Sequence, residues 1–238
     1  MKMVARYFGN LVDISTMTKP VFLSWSSGKD SAWALYTLQQ DPDYEVVALV
    51  TTVNEKYKRV AMHGVRERIL QQQADAAGLP LHILNIPSPC NNEEYETVMK
   101  NFLHIMRANN VEHMAFGDLY LEDIRQYREK QLENTGISPV FPLWQQPTRR
   151  LAETMIDSGL EATITCIDPR KLSTDFAGQK FNHHFLNSLP DDVDPCGENG
   201  EFHSCVHNGP MFNQALMINT GEVVERDGFV FADLITTK

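Results

Sequence analysis

The sequence predicts an α/β fold, a Rossmann-like parallel sheet with helices on both faces, followed by a smaller C-terminal α+β subdomain. Three observations support this prediction. Apolar, β-branched segments alternate with helical segments through the first 140 residues, which is the pattern of parallel strands joined by right-handed crossovers. Small polar residues follow three of the predicted strands. After residue 140 the pattern changes to loops and short strands separated by turn residues.

The N-terminal half contains four predicted strand–helix pairs. Residues 45–53 form a continuous β-branched run, typical of a strand covered on both faces. Residues 65–77 repeat apolar side chains at helical intervals and are ended by Gly78 and Pro80. In chain order the predicted strands are 21–24, 45–53, 81–86 and 113–118, and the predicted helices are 30–40, 65–77, 91–106 and 122–134.

The C-terminal half has weaker periodicity. The sequence predicts a helix at 148–158, a strand at 161–167, and short strands at 214–219, 222–226 and 229–234. The change of pattern near residues 138–143 predicts a boundary there. We therefore expect a loose leader at 1–18, a ligand-binding domain at 19–140 and a C-terminal subdomain at 141–238.

Length, composition and charge restrict the class of protein. A chain of 238 residues with 42% hydrophobic residues can bury one core plus a small appended subdomain. No apolar run approaches the roughly 18 residues of a membrane span. Four cysteines without framework spacing indicate reduced thiols and a cytoplasmic protein. The formal net charge of −10 argues against nucleic acid as a partner and favours a small-molecule or protein substrate.

A phosphate-binding loop is predicted directly after the first strand, at Ser26, Ser27, Gly28, Lys29, Asp30 and Ser31. Small residues let backbone N–H groups approach phosphate oxygens, and the N-terminus of the following helix adds partial positive charge. The segment does not match the Gly-x4-Gly-Lys-Ser/Thr pattern of a P-loop. The alternative interpretation is a serine-rich helix cap.

Other polar residues are predicted to share an edge with this loop. Thr51 and Gly117-Asp118 follow or end two further strands, and the carboxyl ends of parallel strands form one ligand-binding edge. His63 and Gly64 lie in the loop after the second strand and are predicted to face the nucleotide, although a helix-capping role for His63 remains open. Together with the loop, Thr51, His63, Gly64 and Gly117 form the predicted nucleotide site.

Charged residues at this edge suggest specific roles. Lys29 is placed to neutralise charge that develops on a phosphate leaving group. Asp30 and Asp118 are candidate Mg²⁺ ligands, with a helix N-terminal charge and an ordinary Gly-Asp turn as the respective alternatives. Glu122, at the start of the next predicted helix, is a candidate substrate-binding residue on a helix that otherwise looks like a solvated, salt-bridged face.

The segment Cys196–His203 combines two glycines, two glutamates, a thiol and an imidazole in eight residues, which is typical of a functional loop. Glu198, Glu201 and His203 are predicted to be catalytic, because carboxylates and imidazole suit proton transfer to and from an amine. Zinc binding by Cys196, His203 and Cys205 is an alternative that lacks a paired Cys-x2-Cys motif. Asn199 and Gly200 are predicted to contact the substrate.

These motifs, in this order, resemble the diphthine–ammonia ligase family, a group within the PP-loop superfamily of adenine nucleotide α-hydrolase-like enzymes with a fold of the PP-loop/HUP type. The matching segments are 26–31, 62–66, 78–81, 116–119, 142–144, 197–203 and 208–212. The resemblance implies an enzyme that uses ATP and Mg²⁺ to adenylylate a carboxylate. Ammonia then forms an amide, and AMP and pyrophosphate leave. The first domain would bind ATP and the C-terminal subdomain the substrate.

Two segments differ from the family pattern, namely 122–129 and the pair His63-Gly64. They indicate a related branch of bacterial type, so the carboxylate acceptor, small or protein-borne, stays unidentified. The sequence leaves open whether the chain forms a homo-oligomer. Two alternatives from other classes are a tRNA-modifying enzyme of the PP-loop superfamily and a regulatory protein that binds nucleotide without catalysis.

Overall fold

The computed structural model describes residues 18–60, 63–87 and 89–237. The predicted leader, apart from Thr18, lies outside the described residues. Within the described part of the chain, no helix has both the length and the apolar character needed to cross a membrane.

Ten strands and six α-helices are formed by the described residues. In chain order they are β1 (Lys19–Ser24), α1 (Lys29–Gln39), β2 (Tyr44–Asn54), β3 (Arg59–Val60), α2 (Glu67–Ala77), β4 (Leu81–Ile86), α3 (Asn92–Ala108), β5 (His113–Ala115), α4 (Glu122–Leu132), β6 (Ser138–Val140), α5 (Thr148–Asp157), β7 (Glu161–Ile167), α6 (His183–Ser188), β8 (Phe202–Asn208), β9 (Ile218–Arg226) and β10 (Phe229–Thr236). A single 3₁₀ turn, Thr174–Phe176, precedes α6.

The first sheet contains the parallel strands in the order β4-β2-β1-β5-β6. β2 has 11 residues and pairs with β1 along its first part and with β4 along its second. The short β3 folds back antiparallel on the end of β2. Strands β3 and β6 were not expected from the sequence, but the predicted parallel α/β architecture is confirmed.

The second sheet is antiparallel, in the order β8-β7-β10-β9, and confirms the predicted C-terminal α+β region. Two details of the prediction were wrong. In place of strands at 214–219 and 222–226 there is one strand, β9 (Ile218–Arg226), and residues 214–217 lie outside it. Gly221 lies where the register of β9 with β10 shifts, so this glycine marks an irregularity inside a strand instead of a turn. β8 begins within the segment that the sequence presents as a loop.

The position of β8 determines where the site forms. One hydrophobic core contains Leu23 of β1 and Leu35 of α1 together with Ile164 of β7 and Phe202 of β8. The two sheets therefore share buried side chains, and the amino end of β8 lies against the first turn of α1. Burial of these side chains brings residues 196–204 to the carboxyl edge of the parallel sheet.

Candidate active site

A cleft of about 560 Å³ lies at the carboxyl edge of the parallel sheet, within the usual size range of small-molecule sites. The segment before β8 forms its opposite wall. The cleft brings together residues that the sequence had placed in five separate motifs. Of the predicted site residues, Ser26, Lys29, Asp30, Ser31, Thr51, His63, Gly117, Asp118, Glu198 and His203 line it.

The loop between β1 and α1 is a tight turn held by its own hydroxyls. The Ser31 hydroxyl donates to the carbonyl of Gly28 at 3.0 Å, and the Ser26 hydroxyl lies 3.1 Å from that of Ser31. Ser27 adopts the left-handed conformation with φ of 71°. Its carbonyl accepts hydrogen bonds from the Val206 backbone at 2.9 Å and from the Gln73 side chain at 3.1 Å. Strand β8 and helix α2 therefore fix the loop from behind.

Two glycines allow close packing around this loop. A Cβ atom on Gly28 would lie 2.7 Å from Cε1 of His63. A Cβ atom on Gly117 would lie 2.9 Å from the carbonyl carbon of Asp30 and 3.0 Å from the backbone nitrogen of Ser31. Only glycine at position 117 permits the chain after β5 to contact the first turn of α1. The nearest atoms there belong to the backbone of Asp30 and Ser31, which cannot rotate away.

Lys29 connects the phosphate loop with the segment before β8. Its ammonium donates to both carboxylate oxygens of Asp30, at 2.8 and 3.0 Å, and to the carbonyl of Cys196. Burial lowers the pKa of Lys29, but the combined effects of Asp30, Cys196 and Glu198, of which Asp30 contributes most, raise the pKa overall. Burial also raises the pKa of Asp30, against the opposing charge of Lys29. We conclude that Lys29 is a buried cation that joins the two halves of the site.

Glu198 is a carboxyl group that titrates near neutral pH. One of its oxygens accepts a hydrogen bond from the backbone of Leu119 at 2.8 Å, just beyond β5. Burial raises the pKa of Glu198 to about 7, the Leu119 hydrogen bond opposes this increase, and the nearby Asp30 charge adds to it. A group with this pKa can accept and return a proton under physiological conditions.

The two histidines of the cleft are neutral. His63 and His203 have ring centroids 4.6 Å apart. Nδ1 of His63 lies 3.1 Å from the carbonyl of Ser204, and because a carbonyl only accepts, this nitrogen carries the proton. Burial lowers the pKa of His63 to about 4 and lowers that of His203 well below its usual range. His203 therefore enters the cleft as an uncharged imidazole.

Asp118 and Arg128 face each other in the cleft. Nε of Arg128 lies 3.4 Å from a carboxylate oxygen of Asp118, and its guanidinium stands over the ring of Phe116 at 4.9 Å. Burial raises the pKa of Asp118, while the Arg128 charge opposes that increase. The sequence analysis missed Arg128, because it treated this helix as a solvated face. The spacing of Leu121, Ile124 and Arg128 at i, i+3 and i+7 was the available signal.

The cleft residues are suitable for Mg²⁺. Asp30 and Asp118 both line it, and the buried hydroxyl of Thr51 has no hydrogen-bond partner among the described residues. Mg²⁺ prefers oxygen ligands and in nucleotide sites takes one or two carboxylates together with phosphate oxygens. The part of the chain that the structure describes contains no group of three or more His, Cys, Asp or Glu side chains arranged for a metal. The zinc alternative at Cys196, His203 and Cys205 thus gains no support.

Some predicted site residues lie outside the cleft lining. Glu122 is exposed on α4 and accepts a hydrogen bond from Gln126 at 3.4 Å. Glu201 is buried, and one of its oxygens accepts from the Asp194 backbone at 3.1 Å and from the Asn199 amide at 3.0 Å. Glu201 therefore braces the segment that carries Glu198. The remaining predicted residues outside the lining are Ser27, Gly28, Gly64, Asn199 and Gly200.

Three of the four cysteines are buried thiols. Burial raises the pKa of Cys166 and of Cys205 to about 12, and it also raises the pKa of Cys196. Thiols with these pKa values stay protonated and are poor nucleophiles. Cys90 is exposed and does not line the cleft.

The apolar wall of the cleft was also missed from the sequence. Helix α3 contributes Tyr95, Met99 and Phe102, which are spaced at i, i+4 and i+7. This spacing is as typical of a core-facing helix as of a ligand site, so the sequence pattern alone did not distinguish the two. In the structure, Tyr95 and Met99 are partly exposed in the cleft, whereas Phe102 is fully buried.

Comparison with known proteins identifies the family. The model of the diphthamide synthase N-terminal domain matches residues 19–139, and that of the diphthamide synthase C-terminal domain matches residues 147–233. The chain is also similar to proteins named diphthine–ammonia ligase. The protein from Danio rerio is 24% identical over 230 residues, covering 87% of this chain and 89% of its own.

The human protein of that name is 24% identical over 232 residues, covering 87% of this chain and 85% of its own. The protein from Rattus norvegicus is 23% identical over 230 residues with the same coverages. These matches confirm the resemblance that the motifs predict and the prediction of an ATP-dependent ligase. The chain belongs to the diphthamide synthase family.

Proposed function

We propose that this enzyme adenylylates a carboxylate with ATP and transfers the activated acyl group to ammonia, which yields an amide, AMP and pyrophosphate. The observation that supports the proposal most directly is the Lys29 contact. Its ammonium bridges the phosphate loop, through Asp30, to the Cys196 carbonyl in the segment that carries Glu198. This contact supports a reaction in which nucleotide chemistry and proton transfer share one cleft.

The proposed phosphate-binding half of the cleft consists of backbone N–H groups and the fixed positive charge of Lys29. The N-terminus of α1 presents N–H groups to phosphate oxygens, and the Lys29 cation offsets negative charge that develops on pyrophosphate as it leaves. Asp30 and Asp118 would hold Mg²⁺, which neutralises phosphate charge when bound. Gly28 and Gly117 allow the first turn of α1 to pack closely against His63 and the chain after β5, because neither position has room for a side chain.

The second step requires a proton acceptor. The ammonia nitrogen attacks the carbonyl carbon of the acyl-adenylate, and the C–O bond to AMP breaks with its electron pair leaving on AMP. The nitrogen must then lose a proton, and we assign its acceptance to the Glu198 carboxylate, whose pKa of about 7 suits this role. Glu201, with no place in the cleft lining, acts as a positioning residue. His63 and His203 line the cleft as uncharged imidazoles and add no positive charge to it.

The buried cysteines favour this reaction over sulfur transfer. A thiolating enzyme of the PP-loop superfamily needs a thiolate or a persulfide in the reaction path, and burial keeps Cys166, Cys196 and Cys205 protonated. The relatives are named for diphthine and ammonia. For this chain we propose the shared chemistry, with a small or protein-borne carboxylate as the acceptor.

Product analysis tests the proposal. The wild-type protein is incubated with α-labelled ATP, Mg²⁺, ammonium and candidate acceptors, including diphthine and small carboxylic acids. We expect AMP release that requires both acceptor and ammonium. Glu198→Gln should reduce it by about 10²-fold or more, as for loss of a general base, whereas the exposed Glu122→Gln control should retain it. ADP as the only product, or no product with any acceptor, would contradict the proposal.

A further inference from the structure

The cleft extends across both faces of the parallel sheet. Val21 and Leu23 of β1 belong to the core beneath α1, while Phe22 belongs to a second core with Phe102 of α3 and Leu132 of α4, as expected for alternating strand residues. The phosphate loop leads into α1 on one face. Helices α3 and α4 border the cleft from the other face.

The α3–α4 side of the cleft is mostly apolar, and its polar residues on α4 are Arg128 and Gln131. Tyr95, Met99 and Phe102 line it from α3, and Ile124 of α4 lines it together with Leu121, the residue before this helix. Arg128 is the charged residue on the same face of α4. Such a wall accommodates a hydrocarbon or aromatic body next to a positive charge.

Arg128 has N–H groups that form no hydrogen bond with the described residues. Among the described residues its only hydrogen bond goes to Asp118, at a long 3.4 Å, and its side chain is 31% exposed. The other cation of the cleft, Lys29, is already bonded to Asp30 and to the Cys196 carbonyl. A guanidinium with free N–H groups in a fixed plane matches a carboxylate in bidentate fashion.

We propose that Arg128 binds the carboxylate of the acceptor and that the apolar faces of α3 and α4 receive its carbon skeleton. This inference rests on the proposed function and names the substrate class as a carboxylic acid with an apolar body. Adenylylation brings two anions together, the carboxylate and the α-phosphate, and a cation on the carboxylate side offsets their repulsion. Arg128 would thus set acceptor specificity.

A binding experiment with a defined probe tests this assignment. The protein is saturated with α,β-methylene-ATP and Mg²⁺, and titrated with 3-phenylpropionate and with its uncharged amide. We expect the wild type to prefer the acid by about tenfold or more, as for a charged hydrogen-bonded pair. Arg128→Gln should remove this preference. The matched control is Arg125→Gln, because Arg125 stacks on Phe141 and Trp144 and pairs with Glu129 without lining the cleft.

The outcomes separate the possible roles of Arg128. Equal binding of acid and amide by the wild type, or an intact acid preference in Arg128→Gln, would overturn the inference. ATP affinity should stay within threefold of wild type in Arg128→Gln, and a tenfold loss would show instead that Arg128 holds a nucleotide phosphate. The AMP assay is independent of this titration. Acid binding through Arg128 without AMP formation would refute the proposed function and leave this carboxylate site in place.

Discussion

The substitution Gly117→Ala tests the architecture of the nucleotide site with one added methyl group. The new Cβ would lie 2.9 Å from the carbonyl carbon of Asp30, 3.0 Å from its oxygen and 3.0 Å from the nitrogen of Ser31. All three atoms are backbone of the first turn of α1, so no side-chain rotation can relieve the overlap. Either the end of β5 or the start of α1 must move.

The size of the effect follows from these distances. Favourable contacts between carbon atoms begin near about 3.5 Å, so the first turn of α1 must shift by roughly half an ångström. Overpacking of this kind costs about 1–3 kcal/mol, which lowers Tm by about 2–12 °C in a chain of this length. Because we propose that N–H groups of the same turn bind phosphate, we also expect ATP affinity to fall by about tenfold, the equivalent of 1.4 kcal/mol.

The assay combines thermal unfolding with and without MgATP and equilibrium dialysis of labelled ATP. Gly221→Ala is the matched control, since its Cβ would meet the flexible end of Ile235 at 3.0 Å, in the second sheet. That variant should bind ATP as the wild type does. Wild-type Tm and ATP affinity in Gly117→Ala would refute the close packing of β5 against α1 and the placement of ATP at this turn.

Three further predictions concern other residues of the site. Ser27→Gly should stabilise the protein by about 1 kcal/mol in urea unfolding, because relief of about 1–2 kcal/mol of left-handed strain exceeds the entropic cost of glycine; lower stability would contradict this. Glu198 has a folded-state pKa above its unfolded value, so its contribution to stability is present at low pH and is lost as pH rises from about 5 through about 7. The free energy of unfolding is measured in urea at pH 5, 6.5 and 8 for the wild type and for Glu198→Gln, and the variant should lack this decline. Identical pH profiles of the two proteins would show that the Glu198 pKa is unshifted. Glu201→Leu should destabilise the fold by about 1–3 kcal/mol, because the Asp194 backbone and the Asn199 amide lose their buried acceptor; unchanged unfolding would remove its bracing role.

The sequence predicted those parts of the site that depend on local structure. The loop 26–31 needs only a strand, small residues and a helix, and these features are contiguous in the chain. Asp118 and Thr51 were placed correctly because parallel topology brings strand ends to one edge. Lys29 lines the cleft as expected, although its bond to the Cys196 carbonyl was not foreseen.

The features of the site that the sequence did not predict depend on long-range packing. Arg128 lies on a helix whose other exposed residues form ordinary ion pairs, and only the approach of α4 to the cleft distinguishes it. Glu198 and Glu201 are three residues apart, and the sequence analysis predicted that both are catalytic. The structure separates them, because Glu198 bonds to Leu119 across the cleft whereas Glu201 bonds to its own segment. Strand β8 was missed because its pairing partner, β7, lies some 40 residues earlier in the chain.

Strand β8 also connects the second sheet to the loop between β1 and α1. The backbone of Val206 donates to the Ser27 carbonyl at 2.9 Å, and the Ser204 hydroxyl accepts from the Lys29 backbone at 3.2 Å. The phosphate loop is therefore completed by the strand that directly follows the segment carrying Glu198. A displacement of that segment would be transmitted to the loop through these bonds and through the Lys29–Cys196 contact. We expect nucleotide binding at the loop to restrict this segment further, together with the Glu198 carboxylate that we propose as the proton acceptor.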